Sequence, residues 1–153
     1  MVSFIVNLKQ QITEDMKAAM RAGDTKRRDA IRLLRAAIKQ REIDERIELD
    51  DVAVIAVIEK MLKQRKDSIA QYEAAHRDDL ADAEKYEVSV LQAYMPEALS
   101  DTEVEGAISK AISAVGAKGQ QDMGRVMGVL KSELAGRADM SKVSALVRAK
   151  LAT

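Results

Sequence analysis

The chain has 153 residues, of which 47% are hydrophobic and 33% are charged, and this balance excludes an intrinsically disordered chain. Its 25 basic and 25 acidic side chains cancel, which argues against a nucleic-acid clamp spread over the whole surface. No cysteine is present, so disulfides and thiolate chemistry are excluded. Aromatic residues make up only 3%, and the abundant Ala, Leu, Met, Lys, Arg and Glu favour helix. We therefore predict an all-α fold with an aliphatic core.

Helical spacing of apolar residues predicts four helices before the only proline, Pro96. They run from about residue 3 to 22, 25 to 44, 51 to 75 and 79 to 94. Gly23 is expected to end the first helix, and Asp24 or Thr25 to cap the second. Asp50 is expected to cap the third, and Pro96 to end the fourth. Together these helices predict an N-terminal antiparallel helical domain.

Six of the seven glycines follow Pro96, so the chain changes character there. The residues Ser100 and Glu103 have the spacing of a capping box, which predicts the start of a fifth helix that ends at Gly116. Gly119 and Gly136 bound a sixth helix, and Asp139 or Ser141 is expected to cap a seventh. We predict two domains, residues 1–95 and 96–153, the second being a small C-terminal three-helix bundle.

The residues needed for familiar catalytic and metal sites are missing from this chain. Its one histidine, His76, falls in a polar break between helices, and zinc, Cys-His and Ser-His-Asp sites need more than that. No Gly-rich loop follows a strand, as nucleotide binding would require. Asn7 and Lys9 interrupt the apolar start before a signal peptide or membrane span is complete. We expect no catalytic residue, cofactor, metal or membrane partner, and a cytoplasmic protein.

A basic stripe on the second helix is the first positive signal. Its members share one helical face because they are spaced three or four residues apart: Arg28, Arg32, Arg35 and Lys39. Lys26, Arg27 and Arg41 widen the stripe to a surface that could hold several phosphates. One interpretation is a solvated face whose charges pair with nearby Asp and Glu. The other is a nucleic-acid interface.

A second basic cluster lies on the third helix and allows the same two interpretations. It consists of Lys60, Lys63, Arg65 and Lys66. No aromatic residues interleave with either group, so stacking on unpaired bases is disfavoured. Recognition of the backbone or shape of a folded RNA is the favoured mode of nucleic-acid binding.

The sixth helix carries two glycines four residues apart, Gly124 and Gly128, each unfavourable by about 1 kcal/mol relative to alanine in a helix. They fall away from the predicted apolar face that contains Met123, Val126 and Met127, and the methionines are interpreted as core. Either another helix packs closely over the bare backbone, or a ligand such as a phosphate-ribose chain approaches it.

Several segments resemble the GatB/YqeY family over nearly the whole chain. They are residues 14–20, 31–39, 63–68 and 94–96 in the first part, and, as the most specific matches, 122–128 and 136–139 in the second. The family often has glycine after the Gly-Arg-Ala-Asp run, whereas this chain has Met140. Stand-alone members are similar to the C-terminal part of the B subunit of the tRNA-dependent amidotransferase that converts misacylated Asp- or Glu-tRNA to the amide. The resemblance implies two helical subdomains.

The same resemblance implies binding of tRNA or another folded RNA without catalysis by this chain alone. It directs attention to six positions in the second part: Gly124, Arg125, Gly128, Lys131, Gly136 and Arg137. Amidotransferase subunits or an aminoacyl-tRNA synthetase are implied as further partners. Two alternatives stay open at this point. One is an accessory role in glutamine-dependent carbon-nitrogen ligation, and the other is a protein-protein adaptor that docks through the amphipathic first helix.

Overall fold

The computed structural model describes residues 7–152, a range that contains seven α-helices and no β-strand. The helices are α1 (Leu8–Ala22), α2 (Thr25–Glu45), α3 (Asp51–Ala74), α4 (Asp78–Gln92), α5 (Asp101–Val115), α6 (Met123–Leu134) and α7 (Met140–Leu151). A single 3-10 turn, Gln120–Asp122, precedes α6. The all-α prediction is confirmed. Between residues 7 and 152, every helix is too short or too polar to traverse a bilayer.

The capping residues place most helix ends where the sequence predicts them. The side chains of Asp24 and Asp50 accept backbone N–H groups in the first turns of α2 and α3. Ser100 and Glu103 form both hydrogen bonds of the capping box at the start of α5, and Asp139 caps α7. Gly23 ends α1 with φ of 70°, the left-handed conformation that favours glycine. These predictions are confirmed because each rests on a local hydrogen bond.

Two helix ends differ from the approximate bounds that the sequence predicts. The first helix was expected from residue 3, and residues 3–6 lie outside the described range; within it α1 begins at Leu8, because the side chain of Asn7 accepts the Gln10 N–H as an N-cap. The fourth helix ends at Gln92 rather than at residue 94. The N–H of Met95 bonds to the carbonyl of Gln92, so the last turn tightens before Pro96.

The chain divides into two compact units, the first of which ends at Met95. In this N-terminal unit α1 packs against α2 and α3 packs against α4, each pair joined by a short connection. The most deeply buried side chains of its core are Ile12, Ile31, Leu34, Ile58 and Leu91. Because Leu8, Ile12 and Ala19 of α1 are buried, the apolar face of α1 is used within this unit. This face is therefore not exposed for the docking that the adaptor alternative assigns to it, and the adaptor alternative itself stays a prediction.

Arg65 joins α3 to α4 and is not available as a surface cation. Its side chain is only 19% exposed and is paired with the carboxylates of Glu84 and Glu87. Its Nε lies 3.3 Å from Glu84 Oε2, an ion-pair distance without hydrogen-bond alignment. In the second basic cluster, Arg65 therefore has a structural role, whereas Lys60 and Lys63 are exposed.

The second unit begins at Pro96 and contains α5, α6 and α7 around its own aliphatic core. The side chains buried most deeply in that core are Ile108, Val126, Leu130, Val143 and Val147. Met123 and Met127 of α6 pack against it, as does Met140 at the start of α7. The interpretation of the α6 methionines as core is confirmed, and Met140 is accommodated as the first residue of a helix.

Candidate nucleic-acid interface

Three members of the basic stripe line a groove between α1 and α2 in the N-terminal unit. The groove encloses about 490 Å³. Its cationic side chains are Arg32, Arg35 and Lys39 from α2 and Lys9 from α1, and among the described residues Glu42 is the one carboxylate that lines it. Ile12 and Ile38 contribute apolar surface. The antiparallel packing of α1 on α2 thus creates a concave strip of positive charge.

The charges in this groove are balanced only at one end. Lys9 Nζ lies 2.8 Å from Glu42 Oε2 and 3.2 Å from Glu48 Oε1. The hydrogen bond from Lys9, and a second from the backbone N–H of Leu49, hold the pKa of the Glu42 carboxyl below its usual range. Glu42 therefore fixes the α2–α3 connection and neutralises Lys9.

Three further cations of the groove form no ion pair within the described residues, although Lys39 lies close enough to Glu42 to help lower the pKa of that carboxyl. In residues 7–152, neither Arg32, Arg35 nor Lys39 has a carboxylate oxygen within 4.0 Å. Arg35 Nη1 donates only to the thioether sulfur of Met16 at 3.2 Å, which is a weak acceptor. All three side chains belong to exposed residues. Such cations are free to contact phosphate oxygens without first breaking an ion pair.

The remaining basic residues of the widened stripe are engaged elsewhere. Arg28 pairs with Asp29 at 2.9 Å, and Arg41 pairs with Glu45 and also donates to the carbonyl of Ala53. These pairs fit the solvated-face interpretation. Two further members, Lys26 and Arg27, belong to a different surface, formed with α4. The stripe therefore divides into a groove of cations without an ion pair and a periphery of paired ones.

The glycines of α6 face open space rather than another helix. Gly124 and Gly128 are exposed, and a Cβ atom built on either would have no neighbour within 4 Å among the described residues. The close-packing interpretation is therefore wrong within this chain, because α6 turns Val126, Leu130 and Leu134 toward the core and leaves the glycines on the opposite side. A strip of bare helical backbone remains accessible.

The two cations beside that strip differ in their partners. Arg125 is bonded through Nη2 to Asp122, whose pKa is lowered first by the backbone N–H of Lys118 and then by Arg125. Lys131 is exposed and, over the range that the structure describes, has no carboxylate within salt-bridge distance. Lys131 is therefore the freer of the two charges on this face.

Gly136 and Arg137 have structural roles in the turn between α6 and α7. Gly136 adopts φ of 71°, a left-handed conformation that glycine takes at little cost. The carbonyl of Arg137 accepts the Leu99 N–H at 2.9 Å, and Arg137 Nε donates to the carbonyl of Glu97 at 3.0 Å. These bonds attach the segment before α5 to the turn before α7.

Lys9 is the groove residue that the sequence analysis missed as a candidate. It belongs to α1, whereas helical spacing reveals the basic stripe on α2 alone, and only the packing of the two helices brings Lys9 beside Lys39 and Glu42. The sequence signal that could have identified Lys9 is its position next to the apolar stripe of α1, the helix that packs on α2. For residues 7–152, no three His, Asp or Glu side chains converge as metal ligands would.

Comparison with known proteins finds relatives that are fungal and carry the name "Altered inheritance of mitochondria protein 41, mitochondrial". The protein from Vanderwaltozyma polyspora is 35% identical over 85 residues, 55% of this chain and 46% of the relative. The one from Eremothecium gossypii is 40% identical over 85 residues, again 55% and 46%. The one from Pyrenophora tritici-repentis is 29% identical over 130 residues, 84% of this chain and 71% of the relative. The chain spans about half the length of the first of these.

The names of these relatives contradict the expectation of a cytoplasmic protein, since each is named as mitochondrial. That expectation was wrong for a physical reason. A composition without cysteine is compatible with more than one reducing compartment and does not distinguish between them.

A family model described as "Yqey-like protein" matches residues 9–151. The match includes every helix from α2 to α7 and nearly all of α1. It therefore extends over both units, including the groove between α1 and α2 and the exposed face of α6. This chain belongs to the YqeY-like family.

Proposed function

We propose that this protein binds folded RNA, with tRNA as the first candidate, through phosphate contacts in the α1–α2 groove. The observation that carries the proposal is the set of three cations without carboxylate partners, Arg32, Arg35 and Lys39, on one concave surface. Phosphate contacts supply most of the sequence-independent affinity of proteins for nucleic acids. The resemblance to the tRNA-contacting tail of the amidotransferase B subunit supports the choice of RNA.

Recognition by shape fits the surroundings of the groove. Within residues 7–152 no aromatic side chain lines it, so this part of the chain offers unpaired bases no ring to stack on. An arginine guanidinium can donate two parallel hydrogen bonds to two oxygens of one phosphate, which fixes the orientation of that phosphate. The groove is therefore suited to the backbone of a folded RNA rather than to a single-stranded sequence.

The exposed face of α6 is proposed as a second contact in the C-terminal unit. Gly124 and Gly128 leave the backbone bare, so a ribose-phosphate chain can approach more closely than any side chain would allow. Arg125 and Lys131 supply positive charge beside it. The α6 face carries less net positive charge than the groove, because Asp122 pairs with Arg125.

The groove is tested by titrating the full chain with total tRNA and with duplex DNA of equal length at two salt concentrations. A site that neutralises about three phosphates gives a slope of log K against log salt of about −2 to −3. The double variant Arg32→Glu/Arg35→Glu is expected to lose at least about tenfold in tRNA affinity. The variant Arg125→Glu/Lys131→Glu tests the α6 face in the same assay.

The comparison variant is Lys60→Glu/Lys63→Glu, which makes the same change in net charge in the second basic cluster, on exposed residues of α3 that the proposal leaves outside the interface. This variant is expected to retain nearly all of the tRNA affinity. Equal losses from the groove variant and the comparison variant would reject the groove as the site. No binding of the wild-type chain at low salt, or no preference for tRNA over duplex DNA, would reject the proposed function.

A further inference from the structure

A second cavity lies on the other side of α1, where α1, α2 and α4 meet in the N-terminal unit. It is open to solvent and has a volume of about 540 Å³. Its lining is mainly polar, and the groups that can bind a ligand are Gln11, Asp15, Arg27, Tyr86, Ser89 and Tyr94. None of these residues lines the α1–α2 groove.

Arg27 contributes a guanidinium without a protein partner. The backbone N–H of Arg27 donates to Asp24 Oδ1, the N-cap of α2. Within residues 7–152, the Arg27 side chain makes neither a hydrogen bond nor an ion pair. The residue is partly buried beside two phenols, Tyr86 and Tyr94. Burial raises the pKa of both phenols, and the Arg27 charge opposes that rise in each. The Arg27 guanidinium is therefore available to an anionic ligand in this cavity.

Asp15 contributes a carboxylate of fixed orientation. The hydroxyl of Tyr94 donates to Asp15 Oδ2 at 2.6 Å, which leaves Oδ1 available to another donor. No nitrogen of Arg27 lies within 4.0 Å of an Asp15 oxygen, although both side chains line the same cavity. Two opposite charges thus line one cavity without forming a direct ion pair.

The phenol of Tyr86 is also held in place. Lys26 Nζ lies 4.2 Å from the centroid of its ring, a cation–π contact, and the hydroxyl of Ser89 donates to its backbone carbonyl at 2.6 Å. The contact with Lys26 restrains the Tyr86 ring, and the hydrogen bond to Asp15 restrains the Tyr94 ring, on the wall of the cavity.

We propose that this cavity binds a free α-amino acid, with the carboxylate on Arg27 and the ammonium on Asp15. The guanidinium fork matches a carboxylate with two parallel hydrogen bonds, and the free Asp15 oxygen accepts from the ammonium. A simple anion would be repelled by Asp15, and a simple cation by Arg27. A small zwitterion satisfies both charges together.

The ligand test uses the full chain, two-dimensional NMR and the twenty L-α-amino acids, each compared with its N-acetyl and carboxamide derivatives. At least one amino acid is expected to shift the amide signals near Asp15, Arg27 and Tyr94. Both derivatives of that amino acid are expected to bind at least about tenfold more weakly, since each lacks one charge-assisted hydrogen bond. No shift with any amino acid at about 10 mM, or equal binding of a derivative, overturns the proposal.

Variants separate this site from the RNA site. Arg27→Gln and Arg27→Lys are both expected to weaken amino-acid binding, the latter because a point charge replaces the fork. Arg32→Gln is the matched control, since it removes an arginine from the other groove of the same unit and should leave amino-acid binding unchanged. Retained binding in Arg27→Gln, with helix content intact by circular dichroism, rejects the site. Because the tRNA titration depends on Arg32 and Arg35, failure of either proposal leaves the other standing.

Discussion

At the scale of single residues, Tyr94 connects the end of α4 to α1 just before the boundary between the two units. Its hydroxyl donates to Asp15 at 2.6 Å. Burial raises the pKa of the phenol, and the hydrogen bond to the Asp15 carboxylate raises it further. The protonated form is therefore the one that the folded protein stabilises.

Replacement of Tyr94 by Phe is expected to lower the free energy of unfolding by about 1 to 2 kcal/mol at neutral pH, because a hydrogen bond to a charged acceptor is lost. A raised pKa stabilises the folded state fully below the ordinary value of 10.0 and loses that effect as pH rises above it. The wild type and Y94F should therefore converge in stability above about pH 10. Urea unfolding at neutral and at high pH measures this difference. A constant difference across that range would contradict the assigned role.

His76 occupies a left-handed backbone conformation with φ of 57° in the connection between α3 and α4. A residue with a Cβ atom is strained there by roughly 1 kcal/mol, whereas glycine is not. We expect His76→Gly to raise the free energy of unfolding by about 0.5 to 1 kcal/mol, measured by urea titration. Ala74→Gly in the last turn of α3 is the control and should destabilise by up to about 1 kcal/mol. If both variants changed the free energy of unfolding in the same direction, strain at His76 would be ruled out.

At the scale of helices, α6 combines a buried apolar face with an exposed strip of backbone. Val126, Leu130 and Leu134 face the core. Gly124 and Gly128 lie on the outside, with free space where a side chain would stand. Nothing in the described part of the chain requires glycine at these two positions, so their effect on stability is unfavourable.

The double variant Gly124→Ala/Gly128→Ala is therefore expected to stabilise the C-terminal unit by about 1 to 2 kcal/mol, since each alanine favours helix by up to about 1 kcal/mol. If a ribose-phosphate chain approaches the bare backbone, the same variant loses tRNA affinity. Thermal unfolding and tRNA titration of one preparation measure both effects. A more stable variant with unchanged affinity would remove α6 from the proposed interface.

The helices themselves were largely predictable from the sequence, because their ends depend on local caps such as Ser100, Asp139 and Gly116. The candidate site was predictable only in part. Helical spacing places Arg32 and Arg35 on one face, but only the packing of α1 and α4 on α2 shows that Lys9 joins them and that Arg27 faces another cavity. Partners distant in sequence determine which cations remain without an ion pair.

At the scale of the whole molecule, two aliphatic cores are separated by the boundary between Met95 and Pro96. Among the described residues no polar or charged residue is fully buried, so each core depends on apolar packing alone. Leu34 in the first core and Leu130 in the second are each fully buried. Each unit is therefore expected to unfold on its own.

Leu130→Ala should cost about 2 to 5 kcal/mol, which is comparable to the whole stability of a small three-helix unit. We expect amide hydrogen exchange to become fast throughout α5, α6 and α7 while α2 and α3 keep their protection. Leu34→Ala is the reciprocal control, with loss of protection confined to the N-terminal unit. Simultaneous loss in both units would show that they fold as one.

The boundary at Pro96 also divides the protein optically. The chain has no tryptophan, one phenylalanine and three tyrosines. All four of these aromatic residues, Phe4, Tyr72, Tyr86 and Tyr94, precede Pro96. Near-ultraviolet absorption and intrinsic fluorescence therefore arise from residues before Pro96. The C-terminal unit has no aromatic chromophore, so its unfolding or ligand binding produces no aromatic signal of its own. A tryptophan introduced at an exposed position of α7 would allow unfolding of the C-terminal unit to be followed by fluorescence.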